Sequence, residues 1–215
     1  MKVYGEERVN TYFSQSQSAP AATHLVGGGY VVTWVSYLQD GSSNGIYAQR
    51  MSANGVGVGP EFRVNTTTSG NQTDAAVVSL SDGGFLVVWS DDTKDGSSWG
   101  VFAQRFDASG VAQGSEFLVN TYTPNDQGQP ALASYDGGLV AVWYSNGQDG
   151  WGHGVYSQRF DNAGVKVGGE VQVSGSFAGH QYEPHVASYA DGRYVVVWRT
   201  DQDQDGSGAG VYAQR

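Results

Sequence analysis

Carboxylates recur at one place in this chain. Asp40-Gly41, Asp95-Gly96, Asp149-Gly150 and Asp205-Gly206 each fall near the end of a polar loop, and the last loop reads Asp201-Gln202-Asp203-Gln204-Asp205-Gly206. Alternating carboxylates followed by glycine bring several oxygens to one point, which is what a hard cation such as Ca2+ takes. The second loop offers Asp91, Asp92 and Asp95, the third Asn146 and Asp149, and the first only Asp40. The candidate metal ligands are therefore Asp201, Asp203, Asp205, Asp91, Asp95 and Asp149, with calcium as the expected ion. An Asp-Gly pair also closes a turn with no ion, through side-chain to backbone hydrogen bonds. No bidentate Glu follows at EF-hand spacing.

A second set could hold a ligand. Gln17, Gln72, Gln127 and Gln181 recur in another polar loop, where they would either hydrogen-bond a ligand near a common axis or tie backbone groups between repeats. Tyr37, Trp99 and Trp151 lie in loops and do not repeat at matching positions. Aromatic rings beside Asp, Asn and Gln suit sugars: the ring stacks on C–H faces while polar groups take the hydroxyls. His24, His153, His180 and His185 show no metal spacing, although His185 stands where the sister segments carry Ala and would face a central channel. No Ser-His-Asp order, nucleophile elbow or phosphate loop appears. No catalytic residue is expected.

The elements that must position these residues repeat as well. Trp34, Trp89, Trp143 and Trp198 recur about every 55 residues, each after an apolar run, and each is followed by a Tyr/Phe-x-Gln-Arg segment ending at Arg50, Arg105, Arg159 and Arg215. Such a period marks a repeat architecture. The approximate repeats are residues 5–59, 60–114, 115–168 and 169–215, within one domain spanning 1–215. Each unit reads as four strands. In the second, Ala75–Leu80 is a small-residue strand, Ser81-Asp82-Gly83-Gly84 a hairpin turn, and Phe85–Trp89 an apolar strand covered on both faces. Val101–Phe106 and Glu116–Asn120 follow. The fold class is all-β, a four-bladed β-propeller of four-stranded antiparallel blades. Glu6-Glu7-Arg8-Val9-Asn10 matches the fourth strand of a blade, so the N-terminal strand is expected to pair with the last blade and close the ring. The runner-up is two copies pairing into an eight-bladed ring; an open stack comes third.

Composition narrows the class. The chain has 215 residues, no Cys, 32 Gly and a formal net charge of -10. A polyanion such as nucleic acid is repelled. No apolar run approaches the about 20 residues that span a membrane, so no membrane insertion is expected. Without disulfides, stability must come from sheet packing.

The unit resembles a repeat of large secreted bacterial proteins, often placed beside calcium-binding or cadherin-like modules. Its pattern, DGGFVVVW…DGSGxGVYAQRFD…GxEFxVNT, is carried by Asp82 to Thr121 and again by Asp136 to Ser174. The resemblance implies an extracellular or cell-surface setting and no particular reaction. The expected function is thus a non-enzymatic binding or adhesion module, stabilised by calcium, with a glycan or a cell-surface protein as partner and a monomer or dimer as the assembled state. The alternatives are a lectin, a structural unit of a larger surface protein or filament and, last, a glycoside-active enzyme.

Overall fold

The computed structural model describes residues 5–175, 179–201 and 208–215. The chain is an all-β, four-bladed propeller. The first blade is β1 (Gln17–His24), β2 (Tyr30–Tyr37), β3 (Asn44–Met51) and β4 (Phe62–Arg63); the second is β5 (Gln72–Ser79), β6 (Phe85–Asp91), β7 (Gly100–Phe106) and β8 (Ala112–Leu118). The third is β9 (Gln127–Tyr135), β10 (Gly138–Asn146), β11 (His153–Asp161) and β12 (Lys166–Gln172). The fourth is β13 (Gln181–Ser188), β14 (Tyr194–Thr200) and β15 (Gly210–Gln214). Every pairing is antiparallel and follows chain order within its blade.

Burial follows the sequence pattern. Phe85, Leu86, Val87, Val88 and Trp89 are all fully buried, because β6 lies between two strands of its own sheet and two neighbouring blades. The four repeated Trp side chains are at most 5% exposed, which makes them packing residues. Apolar clusters join blade one to two, two to three, and three to four. The repeated Gln of the third strand, Gln49, Gln104 and Gln158, is also buried. Its amide donates to the following Arg carbonyl and to Gly59, Gly114 or Gly168. The Arg that follows fastens blades: Arg50 reaches Ser109 O of the next blade and Arg159 reaches Gly192 O, while Arg105 pairs with Asp82 of its own blade.

The closing strand differs from expectation. Residues 6–10 form no strand, and the fourth sheet holds three strands among the described residues. The segment is instead tied to its own first blade, where Thr11 N–H donates to Glu61 at 2.6 Å and Asn10 to Gln17 at 3.2 Å.

All four inner strands carry a bulge. The register slips between Ser18 and Ala21, between Thr73 and Ala76, opposite Val142 to Tyr144, and between Tyr182 and His185. At each bulge one non-glycine residue takes a left-handed φ: Ala19 at 48°, Asp74 at 53°, Gln129 at 51° and Glu183 at 51°. Pro20, Pro130 and Pro184 follow three of them, and a bulge is where a strand can hold Pro.

Candidate functional site

Those bulges build the site. Asp74–Ala76, Gln129–Ala131 and Glu183–His185 line one axial cavity of about 310 Å3 at the bulged stretch of the inner strands. The backbone is the same in each blade, but the residue at its left-handed position is not. A left-handed Gln, Glu or Asp costs energy that a glycine would avoid, and such outliers cluster where side chains are aimed for function.

A hydrogen-bonded chain fixes these groups around the axis. The Gln129 N–H donates to Ser90 Oγ at 3.2 Å, and the Ser90 hydroxyl donates to Asp74 Oδ2 at 3.3 Å. The Thr73 hydroxyl donates to the same Asp74 oxygen at 3.1 Å. On the other side, the Glu183 N–H donates to Gln129 Oε1 at 3.0 Å. Two hydroxyls of blade two thus hold the Asp74 carboxylate in place, and backbone N–H groups of blades three and four extend the chain of bonds. Blade four presents a second carboxylate, Glu183, whose side chain accepts no hydrogen bond among the described residues. Gly128 lets this happen: a Cβ there would lie 3.1 Å from the Tyr144 hydroxyl and 3.3 Å from that of Ser90.

An aromatic cluster lies alongside, between blades three and four. The rings of Tyr144, His153, His180 and Tyr182 meet stacked, tilted or edge to face, with centroids 4.7 to 6.4 Å apart. His153 and His180 face each other through Nδ1 at 3.0 Å. The His153 backbone N–H also donates to His180 Nδ1 at 3.3 Å. Burial, then the neighbouring His180, lower the His153 pKa; Asp126 and Asp201 oppose the shift. Burial, with Asp126 and Asp74 adding to it, pushes the Tyr144 phenol up to about 12. Burial also raises Tyr182, as do the charge of Asp201 and its hydrogen bond.

The residues singled out in the sequence fall elsewhere. Gln72, Gln127 and Gln181 are fully buried. Gln72 and Gln127 donate to loop carbonyls (Ser69 at 3.0 Å, Pro124 at 2.8 Å) and accept from Asn65 and Asn120; Gln17 bonds its own loop and Asn10. They act as loop clips. Asp91, Asp95 and Asp149 each accept the N–H two residues on, at 2.9, 2.9 and 3.0 Å, as turn caps do. Asp201 accepts the His180 N–H at 3.0 Å. Among the described residues no three of His, Asp and Glu gather as a metal set; Asp203 and Asp205 lie outside the described residues. Trp151 is 64% exposed and Tyr37 43%, while Trp99 is half-buried. His185 does face the axial cavity, as its place in the repeat predicts.

Among solved structures the chain is similar to propeller glycoside hydrolases. The α-L-arabinanase of Penicillium chrysogenum, complexed with arabinobiose, superposes with a TM-score of 0.64 at 15% identity over 94% of this chain and 63% of that one. A thermostable family-43 glycoside hydrolase gives 0.57 at 14% over 92% and 70%, and an endo-arabinase from Bacteroides thetaiotaomicron 0.55 at 16% over 91% and 73%. At these identities the likeness is one of fold. No protein-family model and no curated protein matches the chain.

These findings overturn the expected non-enzymatic adhesion module with no catalytic residue. The fold is one that solved glycoside hydrolases share, and two carboxylates line one axial cavity. The expectation failed because it sought acids in the long loops, where the Asp side chains cap turns. Asp74 and Glu183 sit on strands. The available signal was positional: Ala19, Asp74, Gln129 and Glu183 hold one place in the repeat, and their types differ while the frame stays constant.

Proposed function

We propose that the protein hydrolyses a glycosidic bond, with Asp74 and Glu183 as the working carboxylates. The observation that carries this reading is the axial cavity, with two acids at strained, equivalent bulge positions of different blades. Glycoside hydrolysis needs such a pair flanking the bond: one acid protonates the departing oxygen, and the other carboxylate activates water or attacks the anomeric carbon. Asp74, oriented by the Thr73 and Ser90 hydroxyls, suits the base or nucleophile. Glu183, free of such donors, suits the acid. Water supplies the oxygen that replaces the departing alcohol, and its protons balance the one transferred. Neighbours that act on arabinan, arabinofuranosides and xylan suggest pentose-containing polysaccharides as the first substrates to try.

Glycan contact outside the cavity is part of the same reading, supported by the exposed ring of Trp151. An extracellular setting, expected from the resemblance of the repeat, fits a polysaccharide substrate. Calcium at Asp201, Asp203 and Asp205 also remains a proposal, supported by the alternating carboxylates; a melting temperature unmoved by chelator would remove it. The test of the reaction is reducing-sugar release from arabinan, arabinoxylan and xylan. Wild type should release sugar, and Asp74→Asn and Glu183→Gln should each lose about 100- to 10,000-fold in kcat. No release from any of these polysaccharides counts against the proposal.

A further inference from the structure

Each packed blade junction uses one polar side chain twice. Asn65 accepts the Ile46 N–H of blade one at 2.7 Å and donates to Gln72 of blade two at 2.9 Å. Asn120 links Val101 and Gln127 in the same way, at 2.8 and 3.1 Å. Ser174 links Val155 and Gln181, at 2.9 and 3.5 Å. Asn10 stands at the same place in the repeat but makes only the forward half, to Gln17 of blade one. The residue matching Ile46, Val101 and Val155 on the last blade is Val211. Those three are fully buried, whereas Val211 is 82% exposed on β15, whose outer edge pairs with no strand among the described residues.

The apolar faces tell the same story. Blade two packs against blade one through Ala75, Val87 and Trp89. The matching residues of blade one, Pro20, Val32 and Trp34, instead line an open cavity of about 310 Å3 beside residues 7–10. Among the described residues no hydrogen bond or core cluster joins blade four to blade one. One chain thus carries both halves of a blade junction, and its own halves do not meet.

We infer that two copies join through these halves, each placing residues 6–10 as the fourth strand on β15 of the other. The exchange is reciprocal, so it closes with two-fold symmetry and covers edges that would otherwise invite open-ended pairing. The register follows from the sister blades. Tyr47 pairs with Arg63 and Ala48 with Phe62; Phe102 pairs with Leu118 and Ala103 with Phe117. Tyr212 should therefore face Arg8 of the second copy, and Ala213 its Glu7.

Light scattering on the purified chain should give twice the 22.8 kDa mass. Val211→Glu, at an exposed position that leaves folding intact, should give a single-copy mass. The chain holds no cysteine, so Glu7→Cys combined with Ala213→Cys should form a disulfide between copies, seen as a reducible dimer on a gel. A wild-type single-copy mass, a mass that climbs past two copies with concentration, or a disulfide formed only within one chain would each overturn the inference.

Discussion

Replacing Asn120 with Ala should destabilise the protein more than most single changes, because that side chain is a junction between blades. It is 1% exposed. Its Oδ1 accepts the Val101 N–H at 2.8 Å, and its Nδ2 donates to Tyr122 O at 2.8 Å and to Gln127 Oε1 at 3.1 Å. Each bond contributes about 1 kcal/mol net, and a buried group left without a partner costs about 1–3 kcal/mol. Val101 N–H and Gln127 Oε1 would both be stranded beside Leu139 and Trp143 of the same core cluster. The two stranded groups together cost about 2–6 kcal/mol, or roughly 4–24 °C in melting temperature for a chain of this size. The third junction supplies the control. Ser174 holds the same place there and still accepts the Val155 N–H at 2.9 Å. Asn120→Ser should therefore recover the Val101 bond and cost only about 1–2 kcal/mol. Urea denaturation of wild type, Asn120→Ala and Asn120→Ser measures all three. Equal losses for Ala and Ser would refute the view that the acceptor for Val101 holds the junction.

Three further outcomes follow. His153 has a lowered pKa in the folded state, so below its ordinary value of 6.5 the unfolded chain binds more protons and stability falls as the solution is acidified. The drop in urea midpoint between pH 7.5 and pH 5.5 should shrink in His153→Gln, and an unchanged drop would contradict this. Gly128→Ala should press a Cβ against the Tyr144 and Ser90 hydroxyls and loosen Asp74. It should lower kcat about tenfold or more with only a small change in urea midpoint; a loss of stability without loss of turnover would sink this reading. Trp151→Ala should leave stability within about 0.5 kcal/mol because the ring is mostly exposed, while the KM for polysaccharide rises; an unchanged KM removes Trp151 from substrate contact.

The frame was legible in the sequence because it is written in repetition. The Trp after each apolar run, the glycine-bearing turn before that run and the Gln-Arg pair recur at fixed intervals, and each has a packing or turn-closing task that recurs with it. The inner strands were legible only in part. The small-residue run 75–80 is the end of a strand that starts at Gln72, and the bulge at Asp74 hides the earlier part. Nothing in Asp74, Gln129 or Glu183 announces a left-handed φ, as a glycine would. The fourth blade shows the other limit. The match between residues 6–10 and the other fourth strands is real, but pattern alone does not say on which copy's edge that segment lies.

The proposed reaction needs Asp74 and Glu183 to work as a pair across the axial cavity. The most direct measurement is sugar release from arabinan by wild type, Asp74→Asn, Glu183→Gln and the double variant, with melting temperature recorded for each. Each single variant should lose at least about 100-fold in kcat, the double variant should be scarcely worse than either, and all four should melt alike. Full turnover in either single variant, with the fold intact, would contradict it.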